Sequence, residues 1–353
     1  MLLPATRWIS RSTVQIQILL LYLGACADGS ALTAFNCSFG GGADGVLSVD
    51  TTTGAYSIDI RASSSVLHSL LRGAPPRILR DGQWLAAHAG LELDSTDTIS
   101  GTDGNGDFVG TTLVWKASEA ARTTRGDGSS DGDGWRWETS FRCYAAGPLV
   151  FRQAFPQGSN DTLASASMRH RDWPGSAFPS FSTAGWPESL RLATFYGQNA
   201  ARTTQLGTFT QAYSGGYKGG PLALFAPALD GAVVLSPLSN FMVAEHNLNA
   251  TTAELQFGLQ GMLASVPAGY ATDFVLSAHV PPQQGRGQGQ QRGGAVSVEH
   301  AGTVAAAFMR WGDALLKAHR GVRTPPDASQ WISKLGYSTT GVFHCESTQI
   351  TMH

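Results

Sequence analysis

The sequence predicts a mainly β protein: a large antiparallel β-sandwich, then one linker α-helix and a single further strand. Three observations support this fold class. About ten segments either alternate apolar and polar residues or are short apolar runs, as strands with one or two buried faces do. Only the run from Thr303 to His319 has a convincing helical period. The 42 glycines and 16 prolines supply the turns that many strands require.

The bulk properties restrict the classes of partner. A chain of 353 residues with 42% hydrophobic residues can fill a substantial core. Its formal net charge of -2, with 14% charged residues, gives no electrostatic footprint for nucleic acid or an anionic membrane. We therefore expect neutral partners, sugars or protein, and no nucleic acid.

The N-terminus has the features of an export signal. Arg7 and Arg11 precede an apolar run from Ile18 to Leu23, and Ala25-Cys26-Ala27 is a small-x-small cleavage pattern. The pattern predicts a signal peptide over residues 1–27 and a secreted, endomembrane or cell-wall protein. An uncleaved anchor is the alternative, although a membrane span needs about 20 apolar residues.

Three N-glycosylation triplets, and cysteines that could form a disulfide, agree with the prediction of export. The candidate glycosylation sites are Asn36, Asn160 and Asn249. Cys26 leaves with the signal peptide, so three thiols remain in an oxidising compartment.

Cys37 and Cys143 are the expected disulfide pair, because Cys345 lies in the C-terminal tail. The alternative is that none of the cysteines pair and that Cys143 is a small core residue. No cysteine or histidine spacing predicts a metal site, and no cofactor is predicted.

The strand predictions follow the chain in order. Tyr56 to Ile60 and Trp135 to Cys143 alternate most regularly. The other predicted strands are Val46 to Val49, Thr111 to Trp115, Leu149 to Phe155, Leu190 to Tyr196, Leu222 to Phe225, Ala232 to Leu235, Leu255 to Leu259 and Thr272 to Ala278. Together they predict one sandwich domain over residues 28–300.

Two polar segments interrupt this domain. Residues 122–134 and 281–294 are rich in Gly with Asp and Ser or with Gln and Arg, and we expect flexible surface insertions at both. The second contains Arg286 and Arg292, which raises an RNA-binding alternative. With only these arginines and no aromatic residue, that alternative is poorly supported.

A linker helix is predicted over residues 301–323. Its apolar stripe consists of Val304, Phe308, Trp311, Leu315 and Ala318. Thr303 is the expected N-cap and Gly321 the expected C′ residue. A strand-like segment follows from Leu335 to Phe343, so residues 324–353 read as the start of a second domain. We expect residues 335–353 to be poorly packed and cleaved by proteases near Tyr337.

Two motifs could carry a ligand. The oxygens of Asp103, Asn105 and Asp107 alternate as in a calcium loop, but the twelfth position is Val114, and a glycine-rich hairpin turn is favoured. The second motif is an aromatic and proline cluster whose candidate carbohydrate-facing side chains are Trp173, Phe178, Phe181 and Trp186. Aromatic faces stack on sugar rings, but a rigid loop pinned by core aromatics is the favoured alternative.

Catalytic residues cannot be assigned from spacing. Glycosidic cleavage needs two carboxyl groups that face each other across the bond. The sequence contains many single carboxylates whose mutual positions it does not define: Asp172, Glu188, Asp230, Glu245 and Glu254.

Six short motifs occur in order along the chain: Phe178-Pro-Ser-Phe181, Gly216-Tyr-Lys-Gly-Gly-Pro-Leu222, Leu235-Ser-Pro-Leu-Ser-Asn-Phe-Met242, Gly258-Leu-Gln-Gly261, Val266-Pro-Ala-Gly269 and Leu335-Gly-Tyr337. Taken together they resemble the N-terminal half of raffinose synthase and alkaline α-galactosidase-like glycoside hydrolases of the clan D type. The resemblance covers roughly residues 40–345, and it depends on the order and spacing of the motifs.

The resemblance implies a β-supersandwich, a linker helix and then a (β/α)8 barrel. The catalytic aspartates of such proteins lie on later barrel strands, so no catalytic residue is transferred to this chain. The expected function is that of a truncated, non-catalytic β-sandwich part of a glycoside hydrolase-like protein, with α-galactosides as the implied partner and enzyme activity uncertain. The alternative is a secreted carbohydrate-binding or adhesive sandwich module.

Overall fold

The fold is mainly β, as the sequence predicted. The structure, a computed structural model, describes residues 31–39, 44–60, 70–80, 83–123, 135–160, 174–194, 205–209, 216–218, 220–226, 231–249, 252–261, 263–281 and 298–321. The predicted signal peptide, most of both predicted insertions and the segment after the helix lie outside these residues.

Twenty-two strands are present among the described residues, and the longest, Gly90–Asp103, has 14 residues. They are β1 Leu32–Ser38, β2 Asp44–Asp50, β3 Tyr56–Ile60, β4 Leu71–Arg72, β5 Arg77–Arg80, β6 Gln83–Ala87, β7 Gly90–Asp103, β8 Gly106–Ala117, β9 Trp137–Tyr144, β10 Leu149–Phe155, β11 Ser159–Asn160, β12 Ser176–Ala177, β13 Ser180–Ser182, β14 Arg191–Thr194, β15 Gln205–Thr208, β16 Gly216–Lys218, β17 Leu222–Phe225, β18 Ala232–Pro237, β19 Ala244–Asn249, β20 Glu254–Leu259, β21 Ser265–Val266 and β22 Tyr270–His279. The helices are a short one at Glu119–Thr123, a 3-10 turn at Phe241–Val243 and the long helix Val298–Ala318.

The described strands form one large sheet, two small four-stranded sheets and a two-stranded one. The large sheet has twelve strands in the order β12-β5-β6-β7-β8-β9-β10-β22-β18-β17-β14-β15. The N-terminal sheet is β1-β2-β3-β4, the second small sheet is β13-β20-β19-β16, and β11 pairs with β21. Among the described strands only β6 and β7 pair in parallel. Each strand predicted from apolar patterning overlaps a strand among the described residues, and the mainly antiparallel sheets agree with the sandwich interpretation.

The core lies between the large sheet and the two small sheets. Tyr56 of β3 shows how the three sheets meet: its ring lies 5.0 Å from that of Phe141 on β9 and 6.1 Å from that of Phe181 on β13, measured between centroids. These rings belong to one continuous apolar cluster. Because edge-to-face contacts fix ring orientation as well as distance, the cluster sets how the small sheets sit on the large one.

The outer face of the large sheet is covered by the long helix. Ala314 of the helix packs with Val150 of β10 and Val275 of β22, while Ala307 packs with Val234 of β18. Leu149 and Leu276, the neighbours of Val150 and Val275, belong to the inner core. The central strands are therefore apolar on both faces, which explains why they read as continuous apolar runs.

The start and the end of the long helix differ from the sequence predictions. The helix begins at Val298, so Thr303 is an internal residue, 2% exposed, and not the N-cap. Thr303 lies one turn before Ala307, which packs on the sheet. A threonine before an apolar stripe looks the same in sequence whether it caps the helix or packs in its interior. At the other end Arg320 is the residue with positive φ, 54°. The N–H of Gly321 donates to the carbonyl of Leu316, and the N–H of Arg320 donates to that of Lys317.

This end is a Schellman motif in which Arg320, not Gly321, is the left-handed residue. We expect Arg320→Gly to raise the free energy of unfolding by about 0.5–1 kcal/mol, because a Cβ is unfavourable at positive φ. Arg320→Ala is the matched control, since it removes the same side chain but keeps the Cβ. Equal unfolding midpoints in urea for the glycine and alanine variants would contradict this account.

Candidate functional site

The predicted carbohydrate-facing aromatic cluster does not form a surface site. Phe178 and Phe181 are both 0% exposed. The Phe178 ring packs edge-on against those of Phe141 and Phe151, with centroids 5.2 and 5.8 Å away, and its carbonyl accepts a hydrogen bond from the Gln153 amide. The assignment of these two residues to a carbohydrate surface is therefore wrong. Phe178 in the turn after β12 and Phe181 on β13 both direct their rings into the core.

The Trp186 side chain is half-buried, so only part of its ring could contact a carbohydrate. Its ring lies 4.9 Å from that of Phe209, and its indole N–H donates to the Leu70 carbonyl at 2.9 Å. These contacts hold the ring against the sandwich, as the rigid-loop alternative predicted. Trp173, the fourth residue of the cluster, lies outside the described residues.

The structure shows a polar cleft elsewhere, over the bulge in β7. The ladder of β7 and β8 shifts register between Leu93 and Ser95, so Asp94 has no partner residue on β8. The resulting cleft has a volume of about 410 Å³. Its lining is dominated by hydroxyl side chains and consists of Thr33, Thr51, Thr52, Leu93, Asp94, Ser95, Thr96, Thr98 and Thr111. We call it the threonine cleft.

Several of its hydroxyls are held by backbone carbonyls. Thr51 donates to Ala31, Thr96 to Thr51 and Thr111 to Asp97, with distances of 2.8, 3.1 and 3.1 Å. Each hydroxyl oxygen keeps lone pairs that can accept from a ligand. The cleft therefore offers an array of acceptors with fixed positions, a feature suited to a neutral ligand that carries hydroxyl groups.

Asp94 is an ionised carboxylate in the lining of the cleft, paired with two cationic side chains. Its carboxylate lies 2.9 Å from Lys116 Nζ and also contacts the Arg136 guanidinium. The hydrogen bond from Lys116, together with the charge of Arg136, lowers the pKa of Asp94. A carboxyl group that ionises more readily than usual cannot donate a proton at neutral pH, so Asp94 can accept hydrogen bonds but is unsuited to be a general acid.

The carboxylates singled out from the sequence do not form an open pair. Glu245 and Glu254 are 1% and 9% exposed. They lie on β19 and β20, where Glu254 pairs with Arg77 and accepts from the Gln256 amide at 3.0 Å. Glu188 is exposed, and Asp172 and Asp230 lie outside the described residues.

The opposite face of β19 carries a buried histidine that sequence reasoning missed. His246 is 0% exposed and stacks on Phe257, with ring centroids 5.1 Å apart. Burial lowers the pKa of His246 to about 3, so the imidazole is neutral in the folded protein at physiological pH. It is a core residue, and no sequence pattern distinguishes it from a functional histidine.

The calcium-like motif is a hairpin turn, as predicted. Asp103 pairs with Gly106 across the turn between β7 and β8. The two oxygens of Asp103 accept from the Asn105 N–H at 2.8 Å and the Tyr144 hydroxyl at 2.6 Å. Within the described part of the chain, no group of three or more His, Cys, Asp or Glu side chains could hold a metal ion.

The predicted cysteine pair forms a disulfide, and the predicted glycosylation sites differ in exposure. Cys37 on β1 and Cys143 on β9 form a disulfide with a Cα–Cα distance of 5.1 Å. Asn36 is exposed on β1, an edge strand of its sheet. Asn249 is 7% exposed, and its side-chain oxygen accepts from the Thr252 N–H. This burial disfavours Asn249 as a glycan acceptor, and the side chain of Asn160 lies outside the description.

No family model matches the chain, and no curated protein matches it. Among solved structures it is similar to a β-arabinopyranosidase, with 13% identity and a TM-score of 0.37 over 70% of this chain and 40% of that one. It is also similar to the Slr1438 protein from Synechocystis sp. PCC 6803, with 12% identity and a TM-score of 0.35 over 70% of this chain and 96% of that one. The chain thus spans well under half of the β-arabinopyranosidase, a glycoside hydrolase.

Proposed function

We propose that the chain is the non-catalytic β-sandwich part of a glycoside hydrolase-like protein related to raffinose synthases and alkaline α-galactosidases. The observation that supports the proposal most is the order of the layers: a large sandwich comes first, and a long helix then lies on its outer face. The sequence resemblance implies that same order. Its motifs occupy structural positions here, including the core turn at 178–181 and the turn at 266–269 that leads into β22.

Two carboxylates, Asp94 in the threonine cleft and Glu254 among those singled out from the sequence, have electrostatic environments that support a non-catalytic role. A retaining or inverting glycosidase needs one carboxyl group with a raised pKa and a second, ionised one on the other side of the bond. Asp94 has a lowered pKa, and Glu254 is buried against Arg77. Neither is suited to protonate a leaving group in an open cleft.

The direct test is an activity assay on residues 28–353, expressed with an export signal. We expect no turnover of a nitrophenyl α-galactoside above that of a mock purification. Activity that co-purifies with the chain would refute the non-catalytic proposal.

A carbohydrate-binding module is the second candidate, and the threonine cleft is the observation that favours it. Fixed hydroxyls and one ionised carboxylate match the hydrogen-bonding groups of a sugar. A glycan array probed with the purified chain tests this candidate, with Thr98→Val and Asp94→Asn as cleft variants. Binding that these variants abolish would support the cleft, whereas binding lost only in Trp173→Ala or Trp186→Ala would locate the ligand at the aromatic loop.

Export remains part of the proposal, and the sequons provide its test. In a eukaryotic secretory host we expect the chain in the medium, with a glycan on Asn36 and none on Asn249, because only the former amide is exposed in the described structure. Site-resolved mass spectrometry of glycopeptides measures both occupancies. A glycan on Asn249, or retention of the chain in the cytosol, would contradict this prediction. No helix among the described residues is long and apolar enough to cross a membrane.

A further inference from the structure

An apolar groove lies beside the 3-10 turn Phe241–Val243. Its lining is mostly apolar, unlike the hydroxyl-rich lining of the threonine cleft. Its volume is about 430 Å³, and its walls include Phe241 and Met242 on one side and Leu263, Pro267 and Tyr270 on the other. Met242 is 85% exposed, the highest exposure among the large apolar residues described. Concave apolar surface that is open to solvent is typical of a docking site.

The long helix ends at the edge of this groove. The His319 ring lies 6.0 Å from that of Phe241, and His319 Nε2 is 2.7 Å from the Leu238 carbonyl oxygen. The Schellman motif at Arg320 and Gly321 then fixes where the chain leaves the helix. The segment that follows the helix therefore starts next to a wall of the groove.

The sequence of that segment supplies a matching occupant. Pro325-Pro326 favours an extended chain, and Trp331-Ile332 follows. An extended chain lets Trp331 reach at most about 36 Å from Gly321, which is ample for a groove that adjoins the helix end. A tryptophan side chain is large, rigid and mainly apolar, as an anchor for such a groove should be.

We propose that the groove is the docking site of the segment after the helix, residues 322–332, with Trp331 as its anchor. Tethering favours this occupant over a second copy of the chain, because a short linker gives an effective concentration of about a millimolar. A second copy at micromolar concentration would need an affinity higher by a factor of roughly a thousand to compete. The inference does not depend on the proposed function.

Engineered disulfides test the docking in the full chain. Met242→Cys is combined with Ser333→Cys, which leaves Trp331 intact, in a Cys345→Ser background. The matched control combines Ser333→Cys with Met309→Cys, because Met309 is 53% exposed on the long helix and lies within reach of the same tether. Disulfide formation in oxidised glutathione is followed by non-reducing peptide mapping. We expect the 242–333 bond to form roughly ten times faster than the 309–333 bond or more.

A third variant tests whether the Trp331 side chain is responsible for the docking. Adding Trp331→Ala to the Met242→Cys and Ser333→Cys pair should reduce the rate to that of the Met309→Cys control. Equal rates for the two cysteine pairs, or no effect of Trp331→Ala, would overturn the proposal. An intermolecular disulfide at Met242→Cys whose rate rises with protein concentration would also overturn it and would assign the groove to a second copy.

Discussion

Replacing Phe181 by alanine should lower the free energy of unfolding by about 3–5 kcal/mol, the usual loss for truncating a fully buried phenylalanine. Phe181 is 0% exposed on β13, and its ring lies 6.1 Å from those of both Tyr56 and Phe151, measured between centroids. Each of these three rings belongs to a different sheet. The cavity would therefore open where all three sheets meet, and the surrounding strands could collapse into it only in part.

Urea unfolding of the exported chain measures this loss, with two comparison variants. Phe181→Leu keeps most of the apolar volume and should cost less than about half as much. Trp186→Ala removes a half-buried ring and one hydrogen bond, so it should cost about 1–3 kcal/mol. If Phe181→Ala were as stable as the wild type but defective in glycan binding, the result would contradict the core position and support the prediction that Phe181 faces a carbohydrate.

The success and the failures of sequence reasoning have separate physical causes. The predicted strands are those with an apolar face, because burial of apolar side chains is what the alternation records. β19 was missed because its sequence, Ala-Glu-His-Asn-Leu-Asn, is polar although most of it is buried. Its polar side chains lie against other buried polar groups, such as Gln256 on the paired strand β20. Tertiary pairing of this kind leaves no local signal.

β7 was missed for the opposite reason. Most of its residues after Leu91 are partly or fully exposed, so the strand is held by its ladder with β8 and not by an apolar face. The threonine cleft depends on the bulge in that strand and on contacts with the turn at Thr51, far away in sequence. Such a site could not be predicted from spacing. Phe178 and Phe181 were misinterpreted for a different reason. Core packing and sugar stacking use the same aromatic residue types, so only the burial seen in the structure distinguishes the two roles.

Breaking the disulfide should have an effect as large as that of Phe181→Ala. The bond joins β1, an edge strand of the N-terminal sheet, to β9 inside the large sheet, and its cysteines are separated by 106 residues in sequence. A cross-link over so long a loop removes much of the conformational entropy of the unfolded chain. We expect Cys37→Ala, Cys143→Ala or reduction of the wild type to lower the free energy of unfolding by about 2–5 kcal/mol.

A double-mutant cycle distinguishes the cross-link from simple packing, because both cysteines are also nearly fully buried, 3% and 2% exposed. If the bond carries the effect, the double alanine variant should lose little more stability than either single variant, since the first substitution already breaks the bond. If each cysteine acts only as a small core residue, the two losses should add. Cys345→Ala serves as the control for thiol removal alone, and a loss there equal to that of Cys37→Ala would show that the wrong pair had been assigned.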